Sequence, residues 1–369
     1  MEGKRTSFVY LSEPELLKLG VTDEARCVEV SEEVFVLLSE GDYLMGGSNH
    51  NSHGLGIVFP KETQFPNMPV AGPDRRFTAM PAYLGGRFDI CGVKWYGSNA
   101  ANTSKGLPRS VLTLLLNDKD TGEPLCFMSA NLISAMRTGA VPGVASKYLV
   151  KKDATVCSII GCGPINQSCC RHILSQTSGI STVLCYDLFE DKAEVFAAWV
   201  AQTYCINACV VKTAKAAIEG GDIVSVAASR LKPLYLEYSW AKKGTTIMLS
   251  GPAQGDDDFW KKSTIILDSI GLHKAYIDEA VASGDISGYY SGVIGGPIYQ
   301  LIDKHELRPL DESVDLGSVI RGRLPGRQND DEIVLFIACG MAVFDLAWGY
   351  EMYQNALKSN SGQDLLVWE

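Results

Sequence analysis

The chain has 369 residues, 46% of them hydrophobic and 21% charged, and a formal net charge of −10. That length suits two domains better than one, and the composition is that of a globular chain with a sizeable core. The acidic balance excludes a general affinity for phosphate backbones, so nucleic acid is not an expected partner.

The opening stretch, MEGKRTSFVYLSEPELLKLG, carries charge but no apolar segment of the kind a signal peptide needs. No apolar run reaches membrane-spanning length, so no membrane partner is expected. The nearest candidate, residues 333–348, contains Asp345 and reads as a buried helix. The eleven cysteines are scattered, form no C-x-x-C pair and are odd in number. Neither a zinc site nor a disulfide framework is therefore expected; the thiols read as small hydrophobes of a protein in a reducing cytoplasm.

In chain order, the pattern predicts a strand over 8–11 and an amphipathic helix over 25–38, with Ser12, ahead of Pro14 and Glu15, in an N-cap context. Residues 41–75, rich in Gly, Asn, His and Pro, read as one long loop, a feature that is usually functional or disordered. Strands follow over 76–83, 90–96 and 111–117, with a hairpin-type turn at 118–122, making an antiparallel α+β unit. A helix is predicted over 130–150. Strands at 155–160, 182–187, 208–212, 223–227, 245–250 and 264–267 then alternate with helices at 165–176, 191–203 and 214–220. Short apolar strands separated by helices predict a Rossmann-type doubly wound parallel sheet. The last stretch, 331–358, reads as one long helix that packs back on the first domain. The expected division is an α/β dinucleotide-binding domain over 136–336, with 1–135 and 337–369 forming the α+β domain.

The most informative local signal is TVCSIIGCGPINQ. A buried strand runs into Gly161-Cys162-Gly163 and a helix opens at once with Pro164, Ile165 and Asn166. Gly161 permits the sharp turn. Gly163 lets a pyrophosphate approach the backbone, and the helix offers unpaired N–H groups and the positive end of its dipole. The third small position of G-x-G-x-x-G is occupied by Asn166, a departure that weakens the match. The next strand ends at Asp187, placed to hold the ribose hydroxyls of NAD, and residues 188–191 contain no Arg to receive a 2′-phosphate. NAD is therefore expected over NADP, with Ala228 and Ser250, at the ends of later strands, completing the cofactor set. The plain alternative is a tight turn in a Rossmann-like sheet that binds nothing.

Three further stretches carry a family signature: Gly92-Val-Lys94-Trp-Tyr-Gly-Ser followed by Asn102-Thr-Ser-Lys-Gly-Leu-Pro108; Asn131-Leu-Ile-Ser-Ala-Met-Arg137-Thr-Gly-Ala140; and Pro325-Gly-Arg327 with Asp330 to Phe336, continuing into Gly340-Met-Ala-Val-Phe-Asp345. In this order, and with the Rossmann turn, they resemble the ornithine cyclodeaminase/μ-crystallin family along nearly the whole chain. The segments HNSHG, GPDRRF and MSANLISAMRTGAVPG look like the branch of that family labelled as a component of tyramine oxidase. The resemblance implies a homodimer, a substrate-binding and dimerisation domain beside the Rossmann domain, and a nicotinamide cofactor facing a small amino-acid-like substrate. The branch label implies an association with an amine oxidase.

Carried over position by position, the resemblance gives Lys94 as a substrate-facing lysine at a strand end, binding a carboxylate or moving a proton, and Arg137 as a guanidinium fork for that carboxylate. Thr138 and Gly139 fall on the cofactor side. The family's second arginine is missing from the loop, which reads Gly47-Ser-Asn-His50-Asn-Ser-His53-Gly; Arg75 and Arg76 are the candidates to replace it. His50 and His53 are candidates for acid/base or polar contact, because imidazole as a group suits proton transfer near neutral pH, against a loop-ordering role. No metal set is expected. Pro252 falls where cyclodeaminases carry an aspartate, and Asp256 to Asp258 read as the acidic start of a helix.

These features favour an NAD-dependent oxidoreductase of the amino-acid, ketimine or opine dehydrogenase type. A cyclodeaminase-type ammonia lyase that uses bound NAD catalytically, and a non-catalytic cofactor-binding subunit, are the alternatives.

Overall fold

In the computed structural model, which describes residues 5–228 and 233–369, the chain opens with β1 (Thr6–Leu11), α1 (Glu13–Lys18), α2 (Glu24–Glu40), β2 (Tyr43–Met45) and β3 (Leu55–Val58). Next come β4 (Arg76–Leu84), β5 (Ile90–Ser98), β6 (Ser110–Asn117), β7 (Pro124–Ser129) and α3 (Asn131–Leu149). An alternating series follows: β8 (Val156–Ile160), α4 (Pro164–Gln176), β9 (Thr182–Tyr186), α5 (Glu190–Tyr204), β10 (Asn207–Val210), α6 (Ala214–Gly220) and β11 (Ile223–Val226). It continues with β12 (Leu234–Leu236), β13 (Thr246–Leu249), β14 (Ala253–Gly255), α7 (Asp257–Lys262), β15 (Thr264–Leu267), α8 (Ile270–Ser283), α9 (Ile286–Gly292) and α10 (Gly296–Asp303). The chain closes with β16 (Val314–Asp315), α11 (Leu316–Ile320), β17 (Val334–Ile337), α12 (Ala342–Ser359) and β18 (Gln363–Trp368).

Two compact units result. One holds residues 1–23, 40–137 and 341–369; the other holds 24–39 and 138–340. The first is built on a sheet of order β18-β1-β7-β6-β5-β4-β2, with β3 paired to β4. Its pairs are antiparallel except β1 with β7. Along β4 the odd-even alternation buries Thr78, Met80, Ala82 and Leu84, and α12 covers that face of the sheet. The loop expected over 41–75 contains β2 and β3, short strands that its Gly and Asn content conceals.

The second unit is a wholly parallel sheet of order β10-β9-β8-β11-β13-β17-β15-β16. Its central strands are buried along their whole length, which is why they read as continuous apolar runs. After β8 the chain winds to β9 and β10 on one side and returns to β11 on the other, so the strand order reverses between β8 and β11. Open α/β sheets bind ligands at that point.

One predicted element is wrong. Residues 331–358 are not a single helix: β17 inserts between β13 and β15, and α12 starts only at Ala342. Gly340 takes a left-handed φ of 79°, which ends the strand's continuation and separates two apolar segments that the hydropathy pattern merges. Among the described residues no helix is long and apolar enough to cross a membrane.

Candidate functional site

The dinucleotide cradle lies in the second unit. Gly161 follows β8 with φ of 90°, and a Cβ there would lie 2.8 Å from the Ala227 carbonyl oxygen and 2.9 Å from Ala228 Cα. Only glycine permits both the turn and that approach to the end of β11. A Cβ on Gly163 would meet nothing within 4 Å, so space lies open over the N-terminus of α4. Gly163 caps that helix without a side chain and Pro164 holds its first turn, leaving the N–H groups of Ile165 and Asn166 without intrahelical acceptors. Asp187 is fixed just past β9: its Oδ2 accepts the Cys162 N–H at 2.8 Å and its Oδ1 the Phe189 N–H at 3.0 Å. Each oxygen keeps a lone pair for a ribose hydroxyl. An open phosphate approach at a helix N-terminus, with a fixed carboxylate beyond the neighbouring strand, fits a dinucleotide.

Asn166 is a brace within this motif. It is fully buried, its Nδ2 donates to the carbonyls of Ile160 (3.0 Å), Gly161 (2.9 Å) and Ser225 (3.2 Å), and its Oδ1 accepts from Ser225 Oγ at 2.6 Å. The close contact that a small residue would supply by sterics is supplied here by hydrogen bonds tying α4 to the ends of β8 and β11. Gly139 is likewise a packing position: a Cβ there would sit 2.4 Å from Ser168 Oγ of α4.

The first unit holds a buried charge cluster. Lys94 stands in the middle of β5 and not at its end, because the strand continues to Ser98. Its Nζ donates to Asp345 Oδ2 at 2.7 Å, and Arg137 Nε donates to Asp345 Oδ1 at 3.1 Å. Ser134 Oγ lies 3.5 Å from Lys94 Nζ and 3.4 Å from Arg137 Nη2. The relative exposures of Lys94, Arg137 and Asp345 are 2%, 6% and 0%, so two cations share one anion away from water. Arg137 Nη1 is buried with no hydrogen-bond partner among the described residues. A buried cationic donor left unmatched is costly. Burial first, and then the neighbouring Arg137, lower the Lys94 pKa to about 8 against the opposing pull of Asp345. Burial works to raise the Asp345 pKa, but Arg137 and Lys94 outweigh it and hold the carboxyl ionised.

Asp345 is the site residue that sequence reasoning passed over. The available signal was a lone carboxylate in an apolar helix, which requires a cationic partner. His50 takes a left-handed φ of 56° with an exposed ring, its backbone bonded to Gly47 and Met45. His53 is half-buried in the same loop, and Arg76 lies on β4. Pro252 is exposed between β13 and β14, and Asp256 caps α7 by accepting the Phe259 N–H at 2.8 Å. His273 is fully buried between Asp268 (3.1 Å) and the Tyr299 hydroxyl (2.6 Å), with Cys339 Sγ at 3.9 Å. Lys151 pairs with Asp222 at 3.4 Å.

A parallel doubly wound sheet with this cradle, in a chain that also carries a buried cluster of two cations and one carboxylate, is the architecture of a dinucleotide-binding enzyme. The pattern of the "Ornithine cyclodeaminase/mu-crystallin family" matches residues 21–360, and the chain belongs to that family. It is 34% identical over 296 residues to N-((2S)-2-amino-2-carboxyethyl)-L-glutamate dehydrogenase of Staphylococcus aureus, covering 79% of this chain and 82% of that one. It is 32% identical to alanine dehydrogenase of Archaeoglobus fulgidus, covering 78% and 82%. Among solved structures, Thermococcus litoralis Delta(1)-pyrroline-2-carboxylate reductase in complex with NADH and L-proline superposes with a TM-score of 0.78 at 27% identity, over 97% of this chain and 100% of that one. An archaeal alanine dehydrogenase dimer with bound NAD gives 0.76 at 27%, over 98% and 100%.

Proposed function

We propose that the chain catalyses NAD(H)-dependent interconversion of a small amino acid or N-substituted amino acid with its imine or 2-oxo acid, with Lys94 and Arg137 gripping the α-carboxylate. The observation that carries this assignment is the buried, unpartnered Nη1 of Arg137 beside Lys94: a carboxylate supplies the missing acceptor and balances the surplus positive charge. NAD supplies the hydride acceptor or, reduced, the donor. Lys94, with its pKa lowered to about 8, exchanges a proton with the substrate near neutral pH, and His53 is the second candidate for that role. His50 and Arg76, in the same unit, are the further substrate-binding residues of this reading.

The cofactor set is Gly161, Gly163, Pro164, Ile165, Asn166, Asp187, Thr138, Ala228 and Ser250, and the Asp187 carboxylate favours NAD over NADP by repelling a 2′-phosphate. A homodimer is part of this reading. It is supported by the uncovered face of the first sheet, where Phe77 and Trp95 stack at 5.6 Å and a groove of about 410 Å³ includes Phe59 and Val111. A cytoplasmic location is also part of it, supported by eleven cysteines that stand as thiols. The relatives are enzymes of amino-acid and imine chemistry, and association with an amine oxidase finds no support in them.

The test is NADH oxidation by the purified protein with a panel of 2-oxo acids, with and without ammonia, amines and amino acids. Oxidation that depends on a particular oxo acid is the expected result. NADH binding without turnover of any pair overturns the oxidoreductase reading.

A further inference from the structure

The face of the first sheet that carries Lys94 continues into a second cationic position. In the β4/β5 pairing Met80 opposes Lys94, Thr78 opposes Tyr96 and Arg76 opposes Ser98, so these six side chains emerge on one face. Tyr96 is flanked by both cations: Lys94 Nζ lies 5.8 Å from its ring centroid and Arg76 Cζ lies 6.0 Å from it. Lys94 is buried, whereas the Arg76 side chain is 40% exposed, so the strip runs from the closed cluster to an open cationic edge. Asp74 pairs with Arg76 but is shared with Arg109 (Nε to Oδ2, 3.3 Å) and with Ser98 Oγ. Two guanidiniums on one carboxylate leave one positive charge uncompensated. The strand rise spreads the Cα atoms of Met80 and Arg76 by about 13 Å, a gap that the long side chains leaning toward Tyr96 partly close.

Resting on the proposed function, we infer that Arg76, with Tyr96, is a specificity residue that binds a second carboxylate of the substrate. The substrate class is then a dicarboxylic secondary amine, an N-(carboxyalkyl) amino acid. In the reductive direction a 2-oxo acid and the amine of an amino acid condense to an imine with loss of water. One hydride from the reduced nicotinamide adds to the imine carbon and one proton to its nitrogen, giving the secondary amine and the oxidised cofactor. The α-carboxylate of the oxo-acid half lies on Lys94 and Arg137, and the carboxylate of the amino-acid half reaches Arg76. A guanidinium at the open edge supplies planar, two-pronged recognition where a lysine would supply only charge. Tyr96, which hydrogen-bonds Arg76 and has its ring centroid 6.0 Å from the guanidinium carbon, holds the guanidinium in place.

The experiment compares kcat/KM for NADH-driven coupling of pyruvate with alanine against coupling with ethylamine, which lacks the second carboxylate. The wild-type ratio is expected to be about 10- to 100-fold in favour of alanine. In Arg76→Gln the ratio collapses toward one, through KM for alanine; in Arg76→Lys it is intermediate, which also serves if the glutamine variant does not fold. Turnover with a ratio that Arg76→Gln leaves intact, or a wild-type ratio near one, overturns the inference and spares the proposed function. No NADH oxidation with any pair overturns both.

Discussion

Two arginines singled out by their motifs have opposite fates. Arg327, in the second unit, spends its guanidinium on the fold: Nε donates to the Leu149 carbonyl at 2.9 Å, Nη1 to the carbonyls of Asn329 (3.3 Å) and Glu332 (2.7 Å), and Nη2 to the Gly244 carbonyl (3.0 Å) and Thr246 Oγ (2.9 Å). Arg137, in the first unit, is bonded to Asp345 and Ser134 and has one nitrogen without a partner among the described residues. A motif residue whose donors all find acceptors within the fold is a clamp; one with an unmatched buried donor beside a second cation is, on the proposed function, the binding group. An orphan nitrogen alone does not suffice. His172 Nε2 is also buried without a partner among the described residues, but its ring is packed at the α2–α3–α4 contact and burial lowers its pKa to about 4, so it is a neutral acceptor within the core.

The largest effect should come from separating these two arginines. Arg137→Met is expected to lower kcat/KM about a thousandfold, roughly 4 kcal/mol, since a carboxylate contact is lost in a dry site. Its urea midpoint should move little, because Asp345 keeps Lys94. Arg327→Met is expected to do the reverse, losing about 3–4 kcal/mol of unfolding free energy as several carbonyls lose their donor. Its kcat/KM per folded molecule should stay within about threefold. If both variants lost stability and activity in the same proportion, the distinction between clamp and binding group would be void.

A middle-sized effect is expected at Asn166. Asn166→Gly restores the small residue that G-x-G-x-x-G calls for, yet removes three donations to buried carbonyls and leaves Ser225 Oγ without its acceptor. We expect a loss of about 2 kcal/mol in stability and weaker NADH binding, read by denaturation and by fluorescence titration. Tighter NADH binding in the variant would show that Asn166 is a defect of the motif and not its brace.

Legibility in the sequence followed the kind of interaction. The parallel sheet and the Gly161–Asp187 cradle were readable because both rest on local rules: apolar strand runs, a required positive φ, a helix opening directly after a turn. Lys94 and Arg137 were reached only through motif resemblance. Asp345 was missed as a site residue although it was seen, since the bond that gives it meaning joins residues 94 and 345, and no local pattern reports that pairing. The merging of β17 with α12 has the same origin. A wholly buried strand and a buried helix are both continuous apolar runs, and only Gly340, with its left-handed φ, divides them.

The finest test of the cluster is its titration. Burial and Arg137 place the Lys94 pKa at about 8, below the usual 10.5, so the folded protein sheds this proton earlier than the unfolded chain does. In the direction of amine oxidation Lys94 must be neutral to accept a proton, so log kcat/KM should rise with pH and level off above about 8. Asp345 opposes the lowering, and removing its charge should therefore move the break toward acid: in Asp345→Asn we expect a displacement of about one pH unit, with reduced stability as two cations lose their shared anion. Lys94→Arg, which cannot deprotonate in this range, should abolish the break while leaving a cation for the carboxylate. A break that persists in Lys94→Arg would assign the proton to another group, with His53 first in line, and would leave Lys94 and Arg137 as carboxylate ligands alone.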